Sequence, residues 1–373
     1  MQFQEGQKIL LLIGGARRVR TMIHGLFSGD HPDQKIALSP PRRLSTIFLI
    51  FGSNIIFFLF LSLSFSSMGF FLGVPITSYH FYLVLPFTLL FLIISCLLFP
   101  HRNRLFQTLL IPGLLVSSFY LSLRVSQNFF DISYDGQGYH QEALIQLTEG
   151  WNPFYKQANS LETNNMDRWL NHYSKGVWIY GSILIQVTRD IESAKLYHLW
   201  LMLAALAFTL FFLSRFDKFP FTLILLISLL VVFNPVSIYQ SLSFYLDGQL
   251  MSLMVILLCV LGLIYMESNS YYYVLLFMTL SVLVNVKLTA GIYSLMILCG
   301  YMALLWMNDK APQLRRLRIS AAAGFFIGSL YSDGVPTLPT PFTGETPFTP
   351  LWEQTVRIVP FLSFRPTISA KVP

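Results

Sequence analysis

Charge is what this sequence has least of. Asp, Glu, Lys and Arg together make up 12% of its 373 residues, against about a quarter in an ordinary water-soluble domain. So few ionised groups cannot cover a water-facing surface, which excludes a soluble globular protein. Cysteine is scarce too: Cys96, Cys259 and Cys299 all lie inside apolar runs, giving no basis for a disulfide framework or a cysteine metal site. A signal-peptide pattern is also missing. The apolar patch Ile9–Ile13 is shorter than such a core, and no small-residue cleavage site follows it.

What is there is hydrophobic. Apolar residues make up 54% of the chain, and the mean hydropathy is +0.59. Runs of about 20 apolar residues suit spanning helices, whereas barrel strands alternate over about 10. The expected fold is all-α, a polytopic transmembrane bundle of about nine spans. The spans read as Leu44–Met68, Tyr79–Phe99, Leu105–Leu123, Ala194–Leu213, Phe219–Ile238, Gly248–Met266, Tyr271–Leu288, Ala290–Met307 and Ile319–Tyr331. Gly176–Val187 is too short to cross comfortably and reads as an interfacial or half-inserted helix. Residues 1–43 form a basic tail, and 332–373 a Thr/Pro-rich stretch expected to be extended or disordered.

Basic residues orient the bundle. The tail with Arg42 and Arg43, the loop His101–Arg104, the pair Arg215 and Lys218, and the loop Lys310–Arg318 all fall on one side, which the positive-inside rule makes cytoplasmic. Residues 124–190 then form a large first extracytoplasmic loop carrying interfacial helices. Asp247, Gln240 and Lys287 reach the same face. The net charge of +7 follows from this membrane topology and needs no nucleic-acid partner.

Most of the polar chemistry sits in Asp131–Tyr155. Gly138–Glu149 reads as a short amphipathic helix with Ala143, Leu144 and Leu147 as its apolar strip, stopped by Gly150 and Pro153. Trp151, Phe154 and Tyr155 are expected at headgroup level. Asp135 precedes the first turn, where Asp is a common N-cap. A carboxylate fixed there also suits a general base. His140 reads equally as an interfacial histidine, and Asp131, Glu142 and Glu149 as solvated charges. Lys287 at the outer end of an apolar run can snorkel, or pair with a phosphate as a point charge. Lys175 and Arg189 compete for that second role.

Four segments carry a resemblance. Asp135-Gly-Gln-Gly-Tyr139-His140-Gln141 with Leu147-Thr-Glu-Gly150-Trp151-Asn152-Pro153 resembles the first periplasmic loop of bacterial GT-C-type integral-membrane glycosyltransferases, the group of protein mannosyltransferases and aminoarabinose transferases. His172-Tyr-Ser-Lys175-Gly176, Phe244-Tyr-Leu-Asp247-Gly248 and Asn285-Val-Lys287-Leu-Thr289 resemble later segments of the same family, in order and on one face. The resemblance covers roughly Leu44–Trp306. It implies a bacterial inner-membrane transferase that moves a sugar from a polyprenyl-phosphate-linked donor to a glycan, lipid or protein acceptor outside the cytoplasm. Asp135 would be the base, with Asp131 as its rival. His140, Glu142, His172, Lys175, Asp247 and Lys287 would bind substrate, and a divalent metal is allowed but demanded by no ligand spacing. Family members usually continue through further spans, so the Thr/Pro-rich end departs from the pattern and is expected of a shortened, inactive form. A transporter or flippase of a lipid-linked sugar is the other reading, although its charges would be expected near mid-membrane.

Overall fold

The computed structural model describes residues 45–99, 104–158, 166–216 and 218–332. The expected basic tail and the Thr/Pro-rich stretch from 333 onward lie outside the described residues. Within them the chain is helical, with no strand. Long helices are α1 (Ser45–Phe71), α2 (Ser78–Leu98), α3 (Arg104–Gln127), α7 (Leu196–Leu213), α10 (Asp247–Met266), α12 (Leu288–Met307) and α13 (Ala311–Ser332). Shorter ones are α4 (Gln141–Thr148), α5 (Asp167–His172), α6 (Gly176–Thr188), α8 (Phe221–Val232), α9 (Pro235–Gln240) and α11 (Ser270–Leu283). A π-turn at Gly136–His140 runs straight into α4, and a 3-10 turn at Ile191–Lys195 runs into α7.

Among the described residues, six helical stretches are long and apolar enough to cross a membrane: α1, α2, Gln107–Gln127 of α3, Ile191–Leu213 with α7, α10 and α12. This is the build of a multi-pass membrane protein. The three other expected spans take different forms. Phe219–Ile238 is broken at Asn234-Pro235, where the Asn234 side chain accepts the Ser237 amide and caps a new short helix. Tyr271–Leu288 stops at Leu283. Lys310–Arg318 is no loop, because α13 begins at Ala311 and carries Arg315, Arg316 and Arg318 within its first turns.

The helices sort into an inner and an outer set. Along their most apolar stretches α1, α7 and α10 are 67%, 72% and 67% buried within the protein, whereas α2, α3 and α12 are 22%, 11% and 22% buried. The outer set turns Phe87, Leu90, Leu97, Val116, Leu121, Leu295 and Met296 outward, the residue types a lipid tail accepts. Three hydroxyls in the inner set are satisfied locally: Ser53, Ser62 and Thr209 donate to the carbonyls four residues back. Without water, such polar groups must find partners inside the protein. Buried α6 packs against α1, α2 and α4, so it is covered by protein and does not lie flat on a surface.

The two ends of the bundle differ in chemistry. At one end, Arg215 pairs with Glu267, Lys310 donates to the Tyr265 carbonyl and Arg316 to that of Ser268. At the other end lie α4–α6, the start of α10 and the link from α11 to α12. That link is pinned from two sides. Asn285 donates to the carbonyls of Ser281 and Gly328 at 2.7 and 2.9 Å, and its own carbonyl accepts the Gly176 amide at 3.0 Å. A Cβ on Gly176 would sit 2.5 Å from the Asn285 carbonyl oxygen and 2.6 Å from its Cβ, and backbone cannot swing aside as a side-chain tip can. Gly176→Ala is therefore expected to destabilise by about 1–3 kcal/mol, measured by thermal unfolding in detergent. Gly113→Ala, where nothing lies within 4 Å, is expected to be neutral or slightly stabilising, so equal losses in the two variants would remove the packing argument.

Candidate functional site

The loop before the π-turn is built on a buried carboxylate. Asp131 Oδ1 accepts the Ser133 amide at 2.8 Å, and Oδ2 accepts the Ser133 hydroxyl at 2.9 Å and the Phe244 amide at 2.8 Å. Ser133 in turn accepts the Gly136 amide at 3.2 Å. Ser133 is thus the capping side chain, and the expected cap, Asp135, lies inside the first turn with helical backbone angles and no capping bond. Gly136 is required here because a Cβ would meet Asp131 Oδ2 at 2.0 Å. Next to Asp131, its own amide reaches Glu192, and Glu192 pairs with the fully buried Lys195 at 2.5 Å. Lys195 also donates to the Phe129 carbonyl.

Asp135 itself is half-buried and accepts a long hydrogen bond of 3.4 Å from the Tyr139 hydroxyl. Tyr139 lies beside the Tyr173 hydroxyl, which lies beside the Lys287 ammonium. Lys287 is bonded to Asp247 at 2.9 Å, the two side chains being 30% and 43% exposed. The first loop, the α5–α6 link, the start of α10 and the start of α12 therefore meet through one line of polar groups. Beside that line is a cavity of about 550 Å³ lined by Trp169, His172, Tyr173, Ser174, Lys287, Leu288 and Thr289. This volume lies within the range of small-molecule sites.

The electrostatics follow from burial and from neighbours. Burial alone would lower the Lys287 ammonium, but the Asp247 carboxylate and Tyr173 hold it above its ordinary value, so it stays charged through neutral pH. Burial raises the Tyr173 phenol against the opposing pull of Lys287. The Tyr139 phenol is pushed far up by burial, with Tyr173 and Asp135 adding to it. Neither tyrosine ionises at neutral pH; Tyr139 donates to Asp135, and the Tyr173 oxygen faces the Lys287 ammonium as an acceptor.

The remaining sequence candidates have other surroundings. His140 is buried and accepts the Trp178 indole N–H on Nδ1 at 2.8 Å, behind the cavity wall. Glu142 accepts from Gln146 on its own helix. Lys175 is buried, with Nζ on the carbonyls of Asn171 and Tyr173 at 2.7 and 2.6 Å. Trp151 is buried with its indole N–H on the Lys156 carbonyl, and Tyr155 reaches the Phe71 carbonyl from the surface. His172 and Lys287 line the cavity directly, and Asp247 does so through Lys287. Sequence reading passed over Tyr139, Trp169 and Tyr173 as site residues. Their signal was present as aromatics interleaved with the polar motif positions. Among the described residues, no three His, Cys, Asp or Glu side chains cluster to hold a metal ion.

Two expectations follow. Asp131→Asn puts an amide N–H where one carboxylate oxygen accepts, and is expected to cost about 1–3 kcal/mol of stability; Asp135→Asn is expected to stay within about 0.5 kcal/mol of the parent. Thermal unfolding of both separates the structural acid from the available one. The second concerns His140, whose imidazole is pulled down to about 3 by burial first, then by His198 and Lys287. Its folded value lies below the ordinary ~6.5, so its contribution is complete above that pH. It is lost as pH falls toward 3, at up to about 1.4 kcal/mol per pH unit. His140→Gln keeps an acceptor for Trp178 and should have a shallower decline between pH 6.5 and 4; parallel curves for the two proteins would refute the assignment.

No family model, curated protein or solved structure matches this chain.

Proposed function

We propose that the chain is a bacterial inner-membrane glycosyltransferase that moves a sugar from a polyprenyl-phosphate-linked donor to an acceptor at the extracytoplasmic face. The observation that carries this reading is one polar line at a cavity: Tyr173 and Lys287 in its wall, Asp247 paired with Lys287, and Asp135 joined to Tyr173 through Tyr139. These residues come from the four separate segments that resemble the GT-C family. A purely structural origin for the polar motifs would not require them to converge.

In the proposed reaction the acceptor hydroxyl oxygen attacks the anomeric carbon. The carbon–oxygen bond to phosphate breaks, and the lipid phosphate leaves with the electron pair. Asp135 takes the hydroxyl proton, and Lys287 receives the charge that grows on the leaving phosphate. Asp247 holds Lys287 in place until the phosphate arrives. Asp131 is set aside as a base because its oxygens are filled by the Ser133 and Phe244 donors. His140 and Lys175 support the wall of the cavity in this scheme.

Sidedness rests on the basic end. Arg215, Lys218, Lys310, Arg315, Arg316 and Arg318 belong to the end opposite the cavity, which the positive-inside rule makes cytoplasmic. The nine-crossing path adds α8 with α9, α11 and α13 to the six long spans, each completed by polar or charged chain at an end. Residues 124–190 are then the large external loop. A flippase would place its charged groups near mid-membrane, whereas the ionised groups named here lie at helix ends.

The test is sugar transfer from a polyprenyl-phosphate donor in liposomes. Asp135→Asn is expected to lower the rate about 100-fold or more, with the fold intact by thermal unfolding. Full activity in that variant would remove Asp135 as base. Donor crossing the bilayer with no transfer by the parent protein would replace the transferase with a flippase.

A further inference from the structure

The cavity has one wall that the transfer chemistry leaves unused. Trp169 is 52% exposed and lines the cavity. Behind it the Tyr139 ring lies nearly parallel, with centroids 5.9 Å apart and planes 21° apart. Tyr139 is braced in turn by Tyr173 at 5.8 Å and His140 at 4.2 Å, and His140 is held by the Trp178 indole N–H. One indole face is therefore backed by a rigid aromatic stack while a large part of the ring stays open. An open ring at a cavity mouth, already fixed in orientation, meets a ligand at little ordering cost.

The partner chemistry is set by what surrounds the ring. The face of an aromatic ring is electronegative, and the axial C–H groups on one side of a pyranose form a flat, faintly positive surface that fits it. The rim of a sugar needs hydrogen bonds. His172, Ser174 and Thr289 line the same cavity, and no other described residue takes their side chains in a hydrogen bond. Lys287 stands at the same wall as a cation for an attached phosphate. A flat apolar face, unengaged polar side chains and one cation together match a glycosyl phosphate better than a bare phosphate or an acyl chain.

We propose that Trp169 is the sugar platform of this cavity: the pyranose ring of a glycosyl phosphate stacks on its open face, with its hydroxyls toward His172, Ser174 and Thr289 and its phosphate on Lys287. The assignment rests on the transferase reading and names the sugar subsite of the same site. It gives Trp169 a role other than that of an interfacial anchor, the ordinary place of tryptophan in a membrane protein.

The test uses full-length protein in detergent, titrated calorimetrically with glucose 1-phosphate, mannose 1-phosphate and inorganic phosphate. The parent protein is expected to bind at least one hexose 1-phosphate tenfold or more tightly than inorganic phosphate. Trp169→Ala should erase that preference while changing phosphate affinity less than twofold. Trp169→Phe, which keeps a ring and guards against a folding defect, should retain most of the preference. Lys287→Met should weaken both kinds of ligand. Equal affinity of the parent for sugar phosphates and phosphate overturns the platform, and so does an equal loss of both in Trp169→Ala. Anchoring alone predicts no change in preference and overturns it as well. A Trp169-dependent preference in a protein that transfers no sugar keeps the platform and removes the transferase. Transfer that survives Trp169→Ala undiminished does the reverse.

Discussion

The carboxylate of Asp131 is the interaction on which the polar end of this bundle depends. A buried charge is costly unless its oxygens are fully engaged, and here they take three hydrogen bonds, from the Ser133 amide, the Ser133 hydroxyl and the Phe244 amide. Two of these start the turn that carries Asp135. The third fixes the loop immediately before Asp247. Below it, Glu192 and Lys195 couple the same point to the start of α7. One side chain thus sets the positions of two acids that come from distant parts of the chain. Its own chemistry is spent in doing so.

A second constraint is imposed by the surrounding apolar material. Ser53 and Ser62 on α1 and Thr209 on α7 return their hydroxyls to carbonyls of their own helix, closing these hydrogen bonds within the span. Residues that cannot do so collect at the ends, and the ends acquire different characters. The Gly176–Asn285 contact then draws α6 and the α11–α12 link together at the acidic end. That approach brings Tyr173 and Lys287 to one wall. The site is therefore a product of end-packing, with no span needing to place a charge in its middle.

Much of this was legible in the chain. Low charge and long apolar runs told the all-helical membrane class, and the starts and stops of α1, α2, α7, α10 and α12 lie within a few residues of the hydropathic runs. The short helices were harder. Asn234-Pro235 ends one helix and caps the next, a local signal that a hydropathy run hides. The break at Leu283 is set by Asn285 bonding to Gly328, a partner 43 residues away, which no local pattern carries. Around the cavity, the polar motif residues stand out in the sequence because they interrupt apolar runs. Their surroundings do not, because burial decides them: Asp131 and Asp135 look alike in sequence, yet one is buried among three donors and the other is half-buried with one long hydrogen bond. Trp169 and Tyr173 were passed over for the opposite reason, since aromatics in a chain with 16% Phe, Trp and Tyr carry little contrast.

The lysines at this end show how environment sorts identical side chains. Lys195 is fully buried against Glu192 and a backbone carbonyl, and breaking such a pair strands a charge in an apolar interior. Lys175 places its ammonium on the carbonyls of Asn171, in α5, and Tyr173. Lys287 differs in kind. Its pairing with Asp247 is partly open to solvent, and exposed ion pairs contribute only about 0–1 kcal/mol, so on the proposed reading the singly charged phosphodiester of the donor has little to displace. Asp247 keeps the ammonium extended at the wall in the meantime, which spares an incoming anion the ordering of a long flexible side chain. For the proposed transferase a weak ion pair is the suitable device, because a strong one would hold Lys287 against the donor phosphate.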